Sequence, residues 1–124
     1  SDPDIQTAAG DFDLDGASEC VIFVSPRRDE NGYQIISEEN RKLFSFILWR
    51  EDDGTYKTVY ARFEAYDQNV TAHFFLAPVG IFDLNADGRC EVCATLAQWE
   101  GGQTFVFADT DYGFTAVLRA NWGT

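Results

Sequence analysis

Asp11, Asp13 and Asp15 stand at alternate positions in the stretch "AAGDFDLDGASECVIFV", Ala8 to Val24, where Gly16 closes the acids and an apolar run follows. Carboxylates at this spacing can do two kinds of chemistry. One can attack phosphorus while its neighbour handles the leaving-group proton, or all can turn inward on a hard cation that takes oxygen ligands. Left unrelieved they repel one another by roughly 4 kcal/mol per close pair at an effective dielectric near 20. A third reading asks for no chemistry and sees an acidic turn. The three differ in the surroundings they require.

The core "FDLDGAS" resembles the DxDG nucleophile motif of haloacid dehalogenase-type phosphatases, which sits at the end of a buried parallel strand and leads into a helix. Here the preceding "QTAAG" is short and polar, and the run after Gly16 is β-branched and aromatic, so the frame is wrong for that motif. A second stretch, "APVGIFDLNADGRCEVCATLAQW", carries the same arrangement. Aligning Asp11 on Asp83 matches Asp13 with Asn85, Asp15 with Asp87, Gly16 with Gly88 and Glu19 with Glu91, and both copies enter an apolar strand.

Oxygen-bearing side chains thus recur at loop positions one, three, five and nine. A loop curling around Ca²⁺ points alternate side chains inward, turns sharply at a Gly in position six and offers a backbone carbonyl at position seven, here Ala17 and Arg89. An EF-hand would add flanking helices and a bidentate Glu at position twelve, where this chain has Ile22 and Ala94. The loop is EF-hand-like, and its frame is β.

In these residues the chain resembles the FG-GAP and VCBS repeats, calcium-loop β-blades of integrin heads and of many secreted bacterial proteins. The likeness covers most of the chain as two tandem units, and "WEGG" resembles the "YYEG" turn of uncharacterised bacterial proteins with such repeats. Leu14 and Ala86 occupy loop position four, where the family commonly has Gly. The resemblance implies calcium ligands at Asp11, Asp13, Asp15 and Glu19, then at Asp83, Asn85, Asp87 and Glu91. It also implies an extracellular, cell-surface or periplasmic location and a role as a surface, scaffold or protein-interaction module.

The elements that must hold these loops read as strands. Candidates are Ile5 to Ala9, Cys20 to Ser25, Leu43 to Arg50 and Thr55 to Glu64, then Ala72 to Ile81, Cys90 to Trp99, Gln103 to Ala108 and Phe114 to Asn121. Within Thr58 to Phe63, Val59, Ala61 and Phe63 alternate with polar neighbours, predicting an apolar face on those three. "FSFILW" and "HFFLAPV" are apolar on both faces, as in central strands. Asp52-Asp53-Gly54 and Glu100-Gly101-Gly102 read as hairpin turns. The expected fold is all-β, two tandem four-stranded antiparallel blade-like units packed as a partial propeller or sandwich. Residues 1–66 form the first unit and 70–124 the second, with "YDQN" between them and a long polar insert at 25–42, where Ser37 could cap a helical turn through Arg41.

With 124 residues, 45% hydrophobic and eleven Phe, the chain can bury one sizeable core and is expected to be one domain. No apolar run approaches the ~18 residues of a membrane span. The opening "SDPDIQ" has no basic-then-apolar signal and reads as the start of a mature or excised segment. A net charge of −12 repels nucleic acid and is partly neutralised if calcium occupies the loops. Cys20, Cys90 and Cys93 are too few and too uneven for a disulfide framework, and three reduced thiols are expected, at least two of them buried. His73, the sole histidine, lies in an apolar strand with no local partner for base catalysis, and no Ser or Cys has a nucleophile's context. The expectation is a non-enzymatic module; the rival reading is a glycan-binding module stacking sugars on Trp49, Trp99, Trp122 or Tyr33.

Overall fold

The computed structural model describes residues 3–28, 30, 34–36, 41–68, 70–72, 75–98 and 101–123. Among the described residues ten strands run in the order β1 Asp4–Gly10, β2 Glu19–Ser25, β3 Gln34–Ile36, β4 Lys42–Arg50, β5 Tyr56–Ala65, β6 Val70–Ala72, β7 Phe75–Phe82, β8 Glu91–Gln98, β9 Gly101–Thr110 and β10 Gly113–Gly123. No helix occurs among the described residues, so none is long and apolar enough to cross a membrane. The strands form two four-stranded antiparallel sheets, β1-β2-β4-β5 and β10-β9-β8-β7, with β3 and β6 as a separate two-stranded pair. The chain is all-β, two tandem four-stranded units in one compact domain, as the strand pattern predicts.

One core lies between the sheets. Val21, Phe23, Leu43, Ile47, Trp49 and Val59 from the first sheet meet Leu76, Val92, Ala94, Leu96, Phe105 and Phe107 from the second. β4 shows the period of two expected of a pleated strand: Leu43, Ser45, Ile47 and Trp49 are buried, while Phe44 is exposed. Near the loop end a polar strap joins the sheets. Lys57 on β5 meets Asp109 on β9 at 2.7 Å and Glu51 at 3.4 Å, and Asp109 also meets Arg89 at 3.1 Å. The bond to Asp109, ahead of other causes, holds the Lys57 ammonium above its ordinary pKa.

Several expectations are corrected. The alternation in Val59, Ala61 and Phe63 does not give one buried face: Val59 is buried, whereas Ala61 and Phe63 are exposed. The ladder explains it, because Leu48 pairs with Thr58 and Ile47 with Tyr60, so Val59 is the extra residue of a bulge. Beyond a bulge every side chain changes face. Tyr60 therefore turns inward onto Phe105 and Phe107, and Phe63 turns outward against Phe44, their rings 4.8 Å apart.

β7, which carries the "FLAPV" of the apolar "HFFLAPV" run, is an edge strand and not a central one. Pro78, which has no N–H to donate, suits an edge, and the bulge between Pro78 and Gly80 lies there. β6 pairs with β3, three residues with three, and the strand expected from Ala72 to Ile81 is β7, which runs from Phe75 to Phe82. Cys90 precedes its strand, which begins at Glu91.

Gly101 and Gly102 are the start of β9, not a turn. A Cβ on Gly102 would lie 2.5 Å from the Leu96 carbonyl oxygen and 2.7 Å from Trp122 Cζ2, so the glycine admits the close approach of the indole. Of the thiols, all free, Cys93 is buried and Cys20 and Cys90 are half-buried, one fewer than expected in the interior. The proposed helical turn at Ser37, together with Tyr33, His73 and Trp99, lies at least in part outside the described residues.

Candidate metal centre

Each acidic loop joins the first two strands of its sheet: 11–18 links β1 to β2, and 83–90 links β7 to β8. Alternate acids followed by Gly fold here because each carboxylate caps the turn of chain after it. In the first loop Asp11 Oδ1 accepts from the Asp15 amide at 3.1 Å, and Asp11 Oδ2 from the Gly16 amide at 3.0 Å. Asp13 Oδ1 accepts from Asp15 N at 3.2 Å, and Asp15 Oδ1 from Ala17 N at 2.8 Å.

The second loop makes the same bonds in the same order. Asp83 accepts from Asp87 N at 3.1 Å and Gly88 N at 2.9 Å, Asn85 Oδ1 from Asp87 N at 3.3 Å, and Asp87 Oδ1 from Arg89 N at 2.9 Å. Backbone torsions agree as well: φ is +87° at Gly16 and +86° at Gly88, +58° at Leu14 and +60° at Ala86.

Those last two values place Leu14 and Ala86, at loop position four, in the left-handed region that suits glycine. A residue with a Cβ in the left-handed region costs roughly 1–2 kcal/mol, and glycine's greater freedom when unfolded returns part of that. Leu14→Gly and Ala86→Gly are therefore each expected to stabilise the chain by about 0.5–1 kcal/mol in urea unfolding; a loss of stability in both would refute the assigned strain.

Position nine closes each loop from beneath. Glu19, 1% exposed, accepts from the Phe12 amide through Oε1 at 2.9 Å. Glu91, 6% exposed, accepts from Leu84 N at 3.1 Å. The carboxylate oxygens that Asp11, Asp13, Asp15 and Glu19 can each present lie within 4.8 Å of one another, as do those of Asp83, Asp87 and Glu91. Both acidic clusters could hold a metal ion, and hard oxygen donors fit Ca²⁺ or Mg²⁺ rather than a soft metal.

The electrostatics single out Glu19. Its Oε2 is buried with no hydrogen-bond partner among the described residues when ionised, and burial, with the charges of Asp13 and Asp15 and the approach of the Asp13 side chain adding to it, pushes the carboxyl from its ordinary 4.5 up to about 7. Burial and the neighbouring Asp15 also raise Asp13. Asp15 and Asp87 move the other way, chiefly because the Ala17 and Arg89 amides donate to their charged forms.

Of the ten residues expected from the sequence, eight lie in these two loops, and Glu19 and Glu91 begin β2 and β8. Asp11, Asp13, Asp15 and Glu19 bring carboxylates together, as do Asp83, Asp87 and Glu91, with Asn85 bonded to the Asp87 amide, while Ala17 and Arg89 donate backbone amides to Asp15 and Asp87. Two features have no sequence signal strong enough to find them. The Phe12 carbonyl accepts from Cys90 N at 2.7 Å, joining the two loops, and Asp109 anchors the Arg89 side chain from β9. An apolar residue at loop position two, Phe12 or Leu84, is the one visible trace of the amide that meets the buried Glu. Among the rings considered for stacking on sugars, Trp49 is 4% exposed in the core and is unavailable, whereas Trp122 is 48% exposed. Comparison of the chain with protein-family models, with curated proteins and with solved structures finds no match.

Proposed function

We propose that this chain is a non-enzymatic calcium-binding β module of the FG-GAP/VCBS kind. Each acidic loop takes one ion, and the module serves outside the cytoplasm as a surface, scaffold or interaction domain. Glu19 carries this reading. A carboxylate sealed from water, with one oxygen unpartnered and three other acids around it, is costly to keep in a fold. A divalent cation supplies the missing partner and turns mutual repulsion into attraction. Calcium suits the site better than magnesium, since a loop presenting several carboxylates at once favours the larger ion's six to eight oxygens.

The first loop offers four carboxylates, Asp11, Asp13, Asp15 and Glu19; the second offers three with Asn85. Titration calorimetry with calcium should resolve two binding events in the parent chain and one in each of Asp15→Ala and Asp87→Ala. Asp13→Asn should still bind at the first loop, about tenfold or less more weakly, because an amide oxygen still coordinates without the full charge. Absence of calcium heat in the parent would refute the reading. So would turnover of a phosphate ester that vanishes in Asp13→Asn, which belongs to a phosphatase.

A further inference from the structure

We propose that the domain associates head to tail with further copies of itself, the outer face of its first sheet docking on the outer face of its second. Aligning the loops pairs Glu19 with Glu91, so Val21 and Phe23 correspond to Cys93 and Thr95, while Ile22 and Val24 correspond to Ala94 and Leu96. The first sheet buries Val21 and Phe23 in the shared core; the second buries Val92, Ala94 and Leu96 there. Equivalent positions thus lie on opposite sides of the interface. The two units are stacked in the same sense, not related by a two-fold axis.

Among the described residues, neither four-stranded sheet has another four-stranded sheet on its remaining face. The first sheet's outer face is the counterpart of the face that the second sheet already buries, and the second sheet's outer face is the counterpart of the face that the first buries. The docking mode that joins the two units inside the chain is therefore offered again between chains. A heterologous contact of this type closes into a ring or grows, according to the rotation per step.

The chemistry of the two faces agrees. On the first sheet, ladder partners put Ile5, Phe44, Leu48 and Phe63 outward, and Ile5, Phe44 and Phe63 are 60%, 55% and 53% exposed. Large exposed apolar side chains gathered on one face mark an interaction surface. On the second sheet's outer face Thr95 pairs with Thr104, the Trp122 indole lies over Gly102, and Leu118 pairs with Val106 toward β10. Trp122 and Leu118 are 48% and 62% exposed, so both outer faces present large apolar side chains. Because each copy carries a net charge of −12, repulsion opposes assembly and salt should favour it.

Light scattering after gel filtration, in about 0.5 M NaCl to screen charge, tests the proposal. The parent chain should show a mass that rises with concentration beyond a dimer. Phe63→Glu, which blocks the first face, and Leu118→Glu, which blocks the second, should each run as a monomer. An equimolar mixture of the two should restore a single interface and stop at the dimer, since each variant keeps the face the other lacks. Circular dichroism confirms that the variants are folded, and Phe44→Glu replaces Phe63→Glu if the latter melts early. A parent that stays monomeric at every concentration overturns the proposal, as does a parent whose assembly survives both variants. A mixture that remains monomeric overturns it too, because two intact, complementary faces would then fail to meet, and self-association of one variant alone overturns it because the contact would then be isologous.

Discussion

In chelator at pH 8, Glu19→Gln should melt above the parent chain, and in excess calcium it should melt below it. The inversion follows from the buried carboxylate. The Glu19 pKa in the fold, about 7, lies above the ordinary 4.5 that it regains on unfolding. Between those values the folded state holds the proton more tightly than the unfolded state. This contribution to metal-free stability is fully present below pH 4.5 and is lost as pH rises through 7. At about 1.4 kcal/mol per pKa unit, discounted for the effective dielectric of a protein, the loss is roughly 2 kcal/mol. The glutamine isostere removes that penalty and keeps the acceptor for the Phe12 amide.

If the loops take calcium as proposed, the order should reverse. Binding to the folded state alone adds about 2.7 kcal/mol per site when the ion is at a hundred times its dissociation constant, or about 10 °C for a chain of this size. Glu19→Gln forgoes most of the gain at the first loop. Calcium should also compete with the Glu19 proton, so binding near pH 7 releases about half a proton at that site, read as a dependence of calorimetric heat on buffer. A purely structural glutamate would leave the variant less stable in both conditions. Calorimetric scans with chelator and with millimolar calcium, at pH 5 and pH 8, separate the two accounts.

How much of this was legible in the sequence depends on the range of the interaction that decides each feature. The loops were, because their geometry is local: each Asp caps amides two to five residues ahead, and the side-chain types at fixed offsets are enough to show it. The strands were, because apolar runs between turn residues leave few other options. The face assignment of β5 was not. Alternation in Val59, Ala61 and Phe63 is what a regular strand would show, and the bulge that overrides it is set by the pairing with Ile47 and Leu48 on β4. The three-residue pairing of β3 with β6 spans more than thirty positions and leaves no periodic trace. The burial of Glu19 was also hidden. An acid at loop position nine looks exposed in the sequence, and only the packing of β1 and β2 behind the loop makes it a sealed carboxylate with an unpartnered oxygen.

Trp49→Ala should be the most damaging single substitution, and it should reach the first loop as well as the core. Trp49 is 4% exposed, and its ring meets Phe12 at 5.8 Å on one side and Phe114 at 5.2 Å on the other. It therefore joins the first sheet, the second sheet and the loop that carries Asp11 to Glu19. Removing the indole costs the transfer free energy of the ring plus the cavity left behind, about 3–5 kcal/mol, a large share of the roughly 5–15 kcal/mol that holds a domain together. Trp49→Phe should be far milder, within about 1.5 kcal/mol of the parent. It keeps most of the packing and removes an indole N–H that is buried with no partner. Loss of the ring also frees Phe12, whose amide orients Glu19 and whose carbonyl accepts from Cys90. In Trp49→Ala, held folded at low temperature, calcium affinity at the first loop should fall about tenfold while the second loop, braced through Arg89 and Asp109, changes little. Urea unfolding of the parent and both variants, with calcium titration of each, provides the measurement. A loss below 1 kcal/mol in Trp49→Ala, or equal weakening at both loops, would show that the indole is not what couples the core to the first loop.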